Sequence, residues 1–228
     1  MNSNIKSRQI DSLDKKFQAL CEKVLQQLTL AEEILRKNRQ DDLYEKVNQI
    51  EADIDLLENG IRVDVVTLIL YAPKATELRK LITYQDITNF LEAVGDLLVD
   101  MIFHPIKKIN TNLPEFNYFQ VTLEKMLAHV KKMISDAIFS FCYEDSEIAY
   151  KIIEEDDLID DMFNDLSENI ILLFQDLSLN EQELLNTVNI NNIAYIIEQI
   201  GDIATNIAEA SIYMIEGTDI RHQLSKKK

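Results

Sequence analysis

The feature that most constrains this chain is an internal repeat. Residues 87–101 read ITNFLEAVGDLLVDM and residues 193–207 read IAYIIEQIGDIATNI, which places the same Glu-x-x-Gly-Asp pattern at two points 106 residues apart. Shorter matches precede it, VNQIEADIDLLENGI against KIIEEDDLIDDMFNDL and CEKVL against LEKML. Because the offset between the matched segments hardly changes, the sequence predicts two copies of one folding unit.

The unit is predicted to be helical. Apolar residues recur at helical spacing, as at Leu20, Val24, Leu28 and Leu35, and sustained strand-like alternation does not occur. With only 4 Gly and 3 Pro in 228 residues, long uninterrupted helices are favoured. We therefore expect an all-α protein of two tandem three-helix bundles, divided at the Pro105–Pro114 segment into residues 1–108 and 109–228.

The charge of the chain limits its partners. A formal net charge of -17 argues against nucleic acid and anionic lipid, which are both bound through clustered Lys and Arg, and favours cations or basic protein surfaces. No apolar run approaches the length of about 18 to 20 residues that crosses a bilayer, and the N-terminal segment lacks the apolar core of a signal peptide. We expect a soluble, cytoplasmic protein without membrane insertion, in which Cys21 and Cys142 are reduced thiols.

Carboxylates line up within each copy of the repeat. Glu92, Asp96 and Asp100 follow one helix face at intervals of four residues, although like charges at this spacing repel one another. The equivalent pair is Glu198 with Asp202, and the preceding helices carry Glu51 with Asp55 and Asp156 with Asp160. Such rows could bind hard cations through oxygen, or they could simply form a solvated face.

A glycine stands inside each row. Gly95 and Gly201 occupy the same slot, although glycine within a helix costs about 1 kcal/mol relative to alanine. Either a ligand cluster or a close helix approach would explain this cost, so metal binding and helix packing are both open as interpretations.

Short motifs recur in both halves of the chain. The segments EQIGD, ATNIAE and GTDIRH lie within residues 198–222, and PKATELRKL and EAVGD lie within residues 73–96. The first set resembles the closing motifs of the PhoU family of phosphate-transport regulators, and the second set resembles that family's earlier repeat, so the resemblance extends to both halves of the chain. Two departures are Ala93 and Gln199, which replace the arginine usual in the Glu-Arg-Ile-Gly-Asp core.

The resemblance implies a fold, a role and a set of ligands. It implies two similar three-helix bundles, a homodimer, and negative regulation of phosphate uptake through the ATPase subunit of a phosphate ABC transporter and a sensor histidine kinase. It also implies metal clusters of Fe, Mn, Mg, Ca or Zn on E(D)-x-x-x-D motifs. Carried over by position, these are Glu51, Asp55, Glu92, Asp96, Asp156, Asp160, Glu198 and Asp202, with Asp100 and Asn206 one turn further.

Catalysis is the main rival to a regulatory role, and the sequence argues against it. Helical di-iron enzymes use Glu-x-x-His pairs, and no Glu in this chain has His three residues later. We expect His104, which precedes Pro105, to cap a helix end or to be exposed. Besides a metal-dependent regulator, the sequence is also compatible with a metal-independent acidic adaptor and with a metal-storage protein.

Overall fold

The computed structural model describes residues 2–37, 41–72, 74–176 and 180–220. These residues contain six α-helices, which confirms the predicted all-α class. They are α1 (Asn2–Lys37), α2 (Asp41–Ile69), α3 (Ala75–Met101), α4 (Pro114–Tyr143), α5 (Ser146–Asp176) and α6 (Glu181–Glu216). Within the described residues, no helix has the length and apolar character needed to cross a membrane. Pro73, Arg221 and His222 of the family-like motifs lie outside the described residues.

The helix ends of the second copy follow from local sequence. The Asn180 side chain accepts hydrogen bonds from the backbone N–H groups of Gln182 and Glu183, and the Glu183 side chain accepts one from the Asn180 N–H. This reciprocal capping satisfies donors that the first turn of α6 leaves unpaired. At the other end, Gly217 adopts a left-handed conformation (φ 76°) that glycine accommodates without strain.

The helical path does not stop at Pro105. Residues Ile102–Ile106 form a π-helical turn that continues α3 and contains Pro105. Proline cannot donate the regular helical hydrogen bond and its ring crowds the preceding turn, and the wider π turn accommodates both effects. The non-helical connection is therefore shorter than the Pro105–Pro114 segment predicted, and it is held to α6 where the Asn110 N–H donates to Asn186 Oδ1 at 2.8 Å.

The helices form two bundles that share one core. Helices α1, α2 and α3 contact one another, as do α4, α5 and α6, and the bundles meet through α1 against α4 and α3 against α6. Equivalent helices of the two copies therefore contact each other, as they would across a two-fold axis. Buried apolar side chains such as Leu20, Leu91, Leu127 and Ile197 belong to a single continuous cluster. The division at residues 108 and 109 stays a prediction.

Ion pairs join the bundles at their edges. Lys131 Nζ lies 2.7 Å from Glu32 Oε2, and Arg36 Nε lies 3.4 Å from Glu124 Oε2. At the opposite end of α4, Lys80 Nζ lies 2.7 Å from Glu144 Oε1. These partly exposed pairs add modest stability, while the shared apolar core supplies most of it.

Candidate metal centres

In the first bundle, α2 and α3 bring four predicted carboxylates together. Asp96 and Asp55 both lie close enough to Glu51 to act on it by their negative charges. Burial, reinforced by the charges of Asp96 and Asp55, raises the pKa of Glu51 to about 7. Gln27 Nε2 donates a hydrogen bond of 2.7 Å to Glu51 Oε2, and this bond lowers the pKa of Glu51.

Glu92 completes this first cluster from α3. Burial raises its pKa, and the negative charges of Asp96, Glu58 and Asp55 raise it further. Glu58 is itself buried and is paired with Arg62 on the next turn of α2. The cluster is thus anionic, with one arginine at its edge.

The second bundle repeats the arrangement with α5 and α6. Burial is the largest cause that raises the pKa of Glu198 to about 7. The negative charges of Asp202, Asp160 and Asp156 raise it as well. Asp156 Oδ1 accepts a hydrogen bond of 3.1 Å from Thr205 Oγ1, one turn beyond Gly201. The second cluster therefore has a hydroxyl donor where the first has the Gln27 amide.

Asp100 has a different environment from the rest of the predicted ligands. Its Oδ1 lies 2.9 Å from His104 Nδ1, and both side chains are more than half exposed. They border a polar cleft of about 290 Å³ between the π-helical turn and α6. Because it is exposed and paired with His104, Asp100 lies at the margin of the first cluster.

The glycines of the two repeat copies lie against different neighbours. A Cβ atom at Gly95 would lie 3.0 Å from Glu51 Oε2 and 3.2 Å from Gln27 Oε1, whereas one at Gly201 would lie 3.4 Å from Ile159 Cγ2. Gly95 makes room for the buried Glu51 carboxylate, and Gly201 permits close apolar helix packing. The helix-packing explanation thus fits Gly201, while the Glu51 and Gln27 side chains explain Gly95, and metal binding at either position stays a prediction.

This difference predicts opposite effects of alanine at the two positions. Gly201→Ala is expected to stabilise the fold by about 0.5 to 1 kcal/mol, because alanine is the better helix former and its methyl group meets only ordinary contacts. Gly95→Ala is expected not to stabilise the fold, because the added methyl group displaces the Glu51 carboxylate from its hydrogen bond with Gln27. Urea unfolding of both variants measures the difference, and equal stabilisation by the two substitutions would contradict it.

The donor chemistry of both clusters fits a hard cation. The eight ligands of the paired motifs are all carboxylates, which suit Mg, Ca and Mn, and Glu51 Oε1 is buried without a hydrogen-bond partner. In the described part of the chain, however, no three Asp, Glu, His or Cys side chains converge as a metal ion requires. A cation would have to draw the carboxylates inward by side-chain rotation, which would relieve their mutual repulsion.

Sequence reasoning missed three residues of these clusters, namely Gln27, Glu58 and Thr205. Gln27 could have been found, because it lies on the apolar stripe of α1 beside Val24 and Leu28 and is completely buried. A polar residue on a core face needs a buried hydrogen-bond partner. Glu58 and Thr205 gave no comparable signal, because each lies on the same polar helix face as the predicted carboxylates before it.

Comparisons with known proteins agree on one family. The PhoU domain model matches residues 17–102 and 123–211, which correspond to the two copies of the repeat. A "Phosphate-specific transport system accessory protein PhoU homolog" of Aquifex aeolicus is 30% identical over 223 residues, covering 95% of this chain and 98% of the relative. A Pseudomonas aeruginosa homolog of the same description is 27% identical, covering 79% of this chain and 73% of its own length.

Solved structures share the fold. The crystal structure of PhoU from Pseudomonas aeruginosa superposes with a TM-score of 0.81 at 21% identity, covering 93% of this chain and 99% of that one. The regulatory protein PhoU from Streptococcus pneumoniae also gives a TM-score of 0.81, at 23% identity, covering 94% and 98% of the two chains. With the family model matched in both halves, this chain belongs to the PhoU family.

Proposed function

We propose that this protein regulates phosphate uptake and phosphate-responsive signalling as an accessory protein of a phosphate transport system. The observation that carries the proposal is the match to the Aquifex aeolicus accessory protein along almost the full length of both chains. The protein acts by contact rather than by catalysis, in the cytoplasm, on the ATPase subunit of a phosphate ABC transporter and on a sensor histidine kinase. A net charge of -17 favours contact with basic surfaces on those partners.

Metal binding at the two carboxylate clusters is the second part of the proposal. It is supported by the repetition of the cluster in both bundles and by the raised pKa values of Glu51 and Glu198. These reflect burial first and then the repulsion of neighbouring carboxylates, which a cation would relieve. The first centre uses Glu51, Asp55, Glu92 and Asp96, and the second uses Asp156, Asp160, Glu198 and Asp202. A bound cation would supply positive charge between two helices of each bundle and fix their spacing.

The regulatory role predicts a phenotype for loss of the gene. Deleting it from the host is expected to increase phosphate accumulation and to express phosphate-starvation genes when phosphate is abundant, because negative control is lost. Uptake of labelled phosphate and transcript levels at low and high phosphate measure both effects. Restoring the intact gene should reverse them, and a deletion strain without a second copy that matches the parent in both measurements would contradict the proposal.

We propose further that the protein forms a homodimer through an exposed stripe on α2. Leu56, Val63 and Val66 lie opposite the buried face of that helix, and Leu70 follows directly after its last residue. Leu56 is 73% exposed and Leu70 is 82% exposed. Positions 56, 63 and 70 repeat at the seven-residue interval by which two helices pack along a seam. A second copy can cover this stripe with its own, in a two-fold contact.

The proposed dimer can be tested with neutral polar substitutions. Leu56→Gln with Leu70→Gln is expected to weaken dimerisation at least about 100-fold, because a two-fold axis makes each lost apolar contact count twice. Sedimentation velocity over a concentration series measures the change. Leu158→Gln with Leu172→Gln on exposed sites of α5 is the matched control. Unchanged association in the α2 variant, or a monomeric parent, would contradict this interface.

A further inference from the structure

A cavity of about 900 Å³ lies between the two bundles, away from the carboxylate clusters. Its walls come from α1, the end of α2 and the start of α3 in the first bundle, and from the end of α4 in the second. The apolar lining includes Leu13, Phe17, Leu25, Leu68, Leu81 and Ile138. Cavities of this size and character are typical of small-molecule sites rather than of packing defects.

An aromatic group forms part of this lining. The ring of Phe17 lies 5.0 Å from that of Tyr84 and 5.2 Å from that of Phe141, and the latter two rings are 4.9 Å apart. All three pairs meet edge to face, an arrangement that aromatic rings favour. The Tyr84 hydroxyl donates to Asp14 Oδ1 at 2.8 Å, and this hydrogen bond is exposed. Phe17 and Tyr84 line the cavity and give it an aromatic wall.

The Cys21 thiol and the Tyr84 hydroxyl of the lining are uncharged. Burial raises the pKa of both groups, so both keep their protons at neutral pH. Cys21 and Cys142 are both free thiols on the lining, the first buried and the second exposed. The charged side chains that line the same space are those of Lys6, Asp14, Glu22, Glu77 and Lys80.

The cations at the rim of the cavity are already paired. Lys6 Nζ lies 2.8 Å from Glu77 Oε2, and Lys80 Nζ lies 2.7 Å from Glu144 Oε1. An anionic ligand would have to break these pairs and would also face Asp14 and Glu22, which line the same space. A neutral ligand avoids both costs.

We propose that this cavity is a binding site for a neutral, apolar small molecule with an aromatic or alkyl body. Because its walls belong to both bundles, the occupant would contact α1 and α4 at once. Binding would then stabilise the arrangement of the two bundles relative to any state in which they separate. The lining of the site shares no residue with the two carboxylate clusters.

The test uses Nile red, a neutral apolar dye, with the full chain. Saturable fluorescence enhancement at one dye per chain is expected, with a dissociation constant on the order of micromolar. Ala72→Trp, which places a large ring in the lining, should weaken binding about tenfold or more. Ala128→Trp, on an exposed part of α4 away from the cavity, should leave binding unchanged.

A second measurement does not depend on any variant. Alkylation of Cys142 by iodoacetamide, followed by peptide mass spectrometry, is expected to slow about fivefold or more when the dye is saturating, because Cys142 lines the cavity. Non-saturable dye binding, an Ala72→Trp variant that binds as the parent does, or unchanged alkylation of Cys142 would each overturn the proposal.

Discussion

Saturating Mn²⁺ is expected to raise the melting temperature of this protein by about 10 °C, and Asp96→Asn with Asp202→Asn is expected to remove most of that gain. A ligand at about 100 times its dissociation constant stabilises the folded state by about 2.7 kcal/mol per site, and two sites in a chain of this size give a shift of that order. Asp96 and Asp202 are chosen because each lies beside the glutamate whose pKa is raised most in its cluster. Asparagine keeps the shape of aspartate but removes the charge that holds the cation.

Specific binding of Mn²⁺ must be distinguished from general screening of the net charge of -17. Melting is therefore measured at fixed ionic strength, with Asp11→Asn and Asp165→Asn as a control that removes the same charge from exposed positions. The control variant should respond to Mn²⁺ as the parent does. If the Asp96 and Asp202 variant gains as much stability from Mn²⁺ as the parent, the clusters are not the site, and a metal-independent acidic adaptor becomes the better interpretation.

The sequence was sufficient for the helical class and the repeat because both depend on spacing. Apolar residues at helical intervals, as on α1 from Leu20 to Leu35, face the core that the structure shows. The recurrence of Glu-x-x-Gly-Asp predicted equivalent positions in two bundles, and the structure places negatively charged neighbours of the same kind around Glu92 and Glu198. Residues four apart on a helix share a face whatever the tertiary structure, so the rows themselves could be predicted.

What the sequence could not predict depends on contacts between distant segments. The reason for glycine at 95 is a carboxylate from α2 and an amide from α1, while Gly201 meets an isoleucine, and the spacing of the repeat is identical in both cases. Pro105 looked like a helix end because a regular α-helix rejects it, and only the π-helical turn allows the helix to continue. The cavity between the bundles arises from the packing of helices separated by more than 100 residues, as Phe17 and Phe141 illustrate.

Stability in the absence of metal is expected to fall as pH rises from about 4.5 to about 7, because of Glu51 and Glu198. Burial raises both pKa values from 4.5 to about 7 in the folded state, so over this range the folded chain binds more protons than the unfolded chain at these positions. The folded state is then favoured at the acidic end, and this contribution is lost as the pH passes through the folded pKa. Each pKa unit corresponds to about 1.4 kcal/mol, and solvent screening at these half-buried sites reduces the expected loss to about 2 kcal/mol for the pair.

Many more carboxylates titrate in the same range, so the measurement compares variants rather than relying on one profile. Glu51→Gln with Glu198→Gln mimics the protonated state at both sites, and glutamine can still accept the hydrogen bond from Gln27. Urea unfolding in chelator at about pH 5 and about pH 8 should show that this variant gains stability over the parent only at the higher pH. Glu154→Gln with Glu168→Gln, at exposed positions of α5, removes the same charge and should follow the parent at both pH values. If the stability of the parent and that of the Glu51→Gln, Glu198→Gln variant depend on pH in the same way, these two carboxylates ionise freely in the folded protein. Their raised pKa values would then no longer support metal binding.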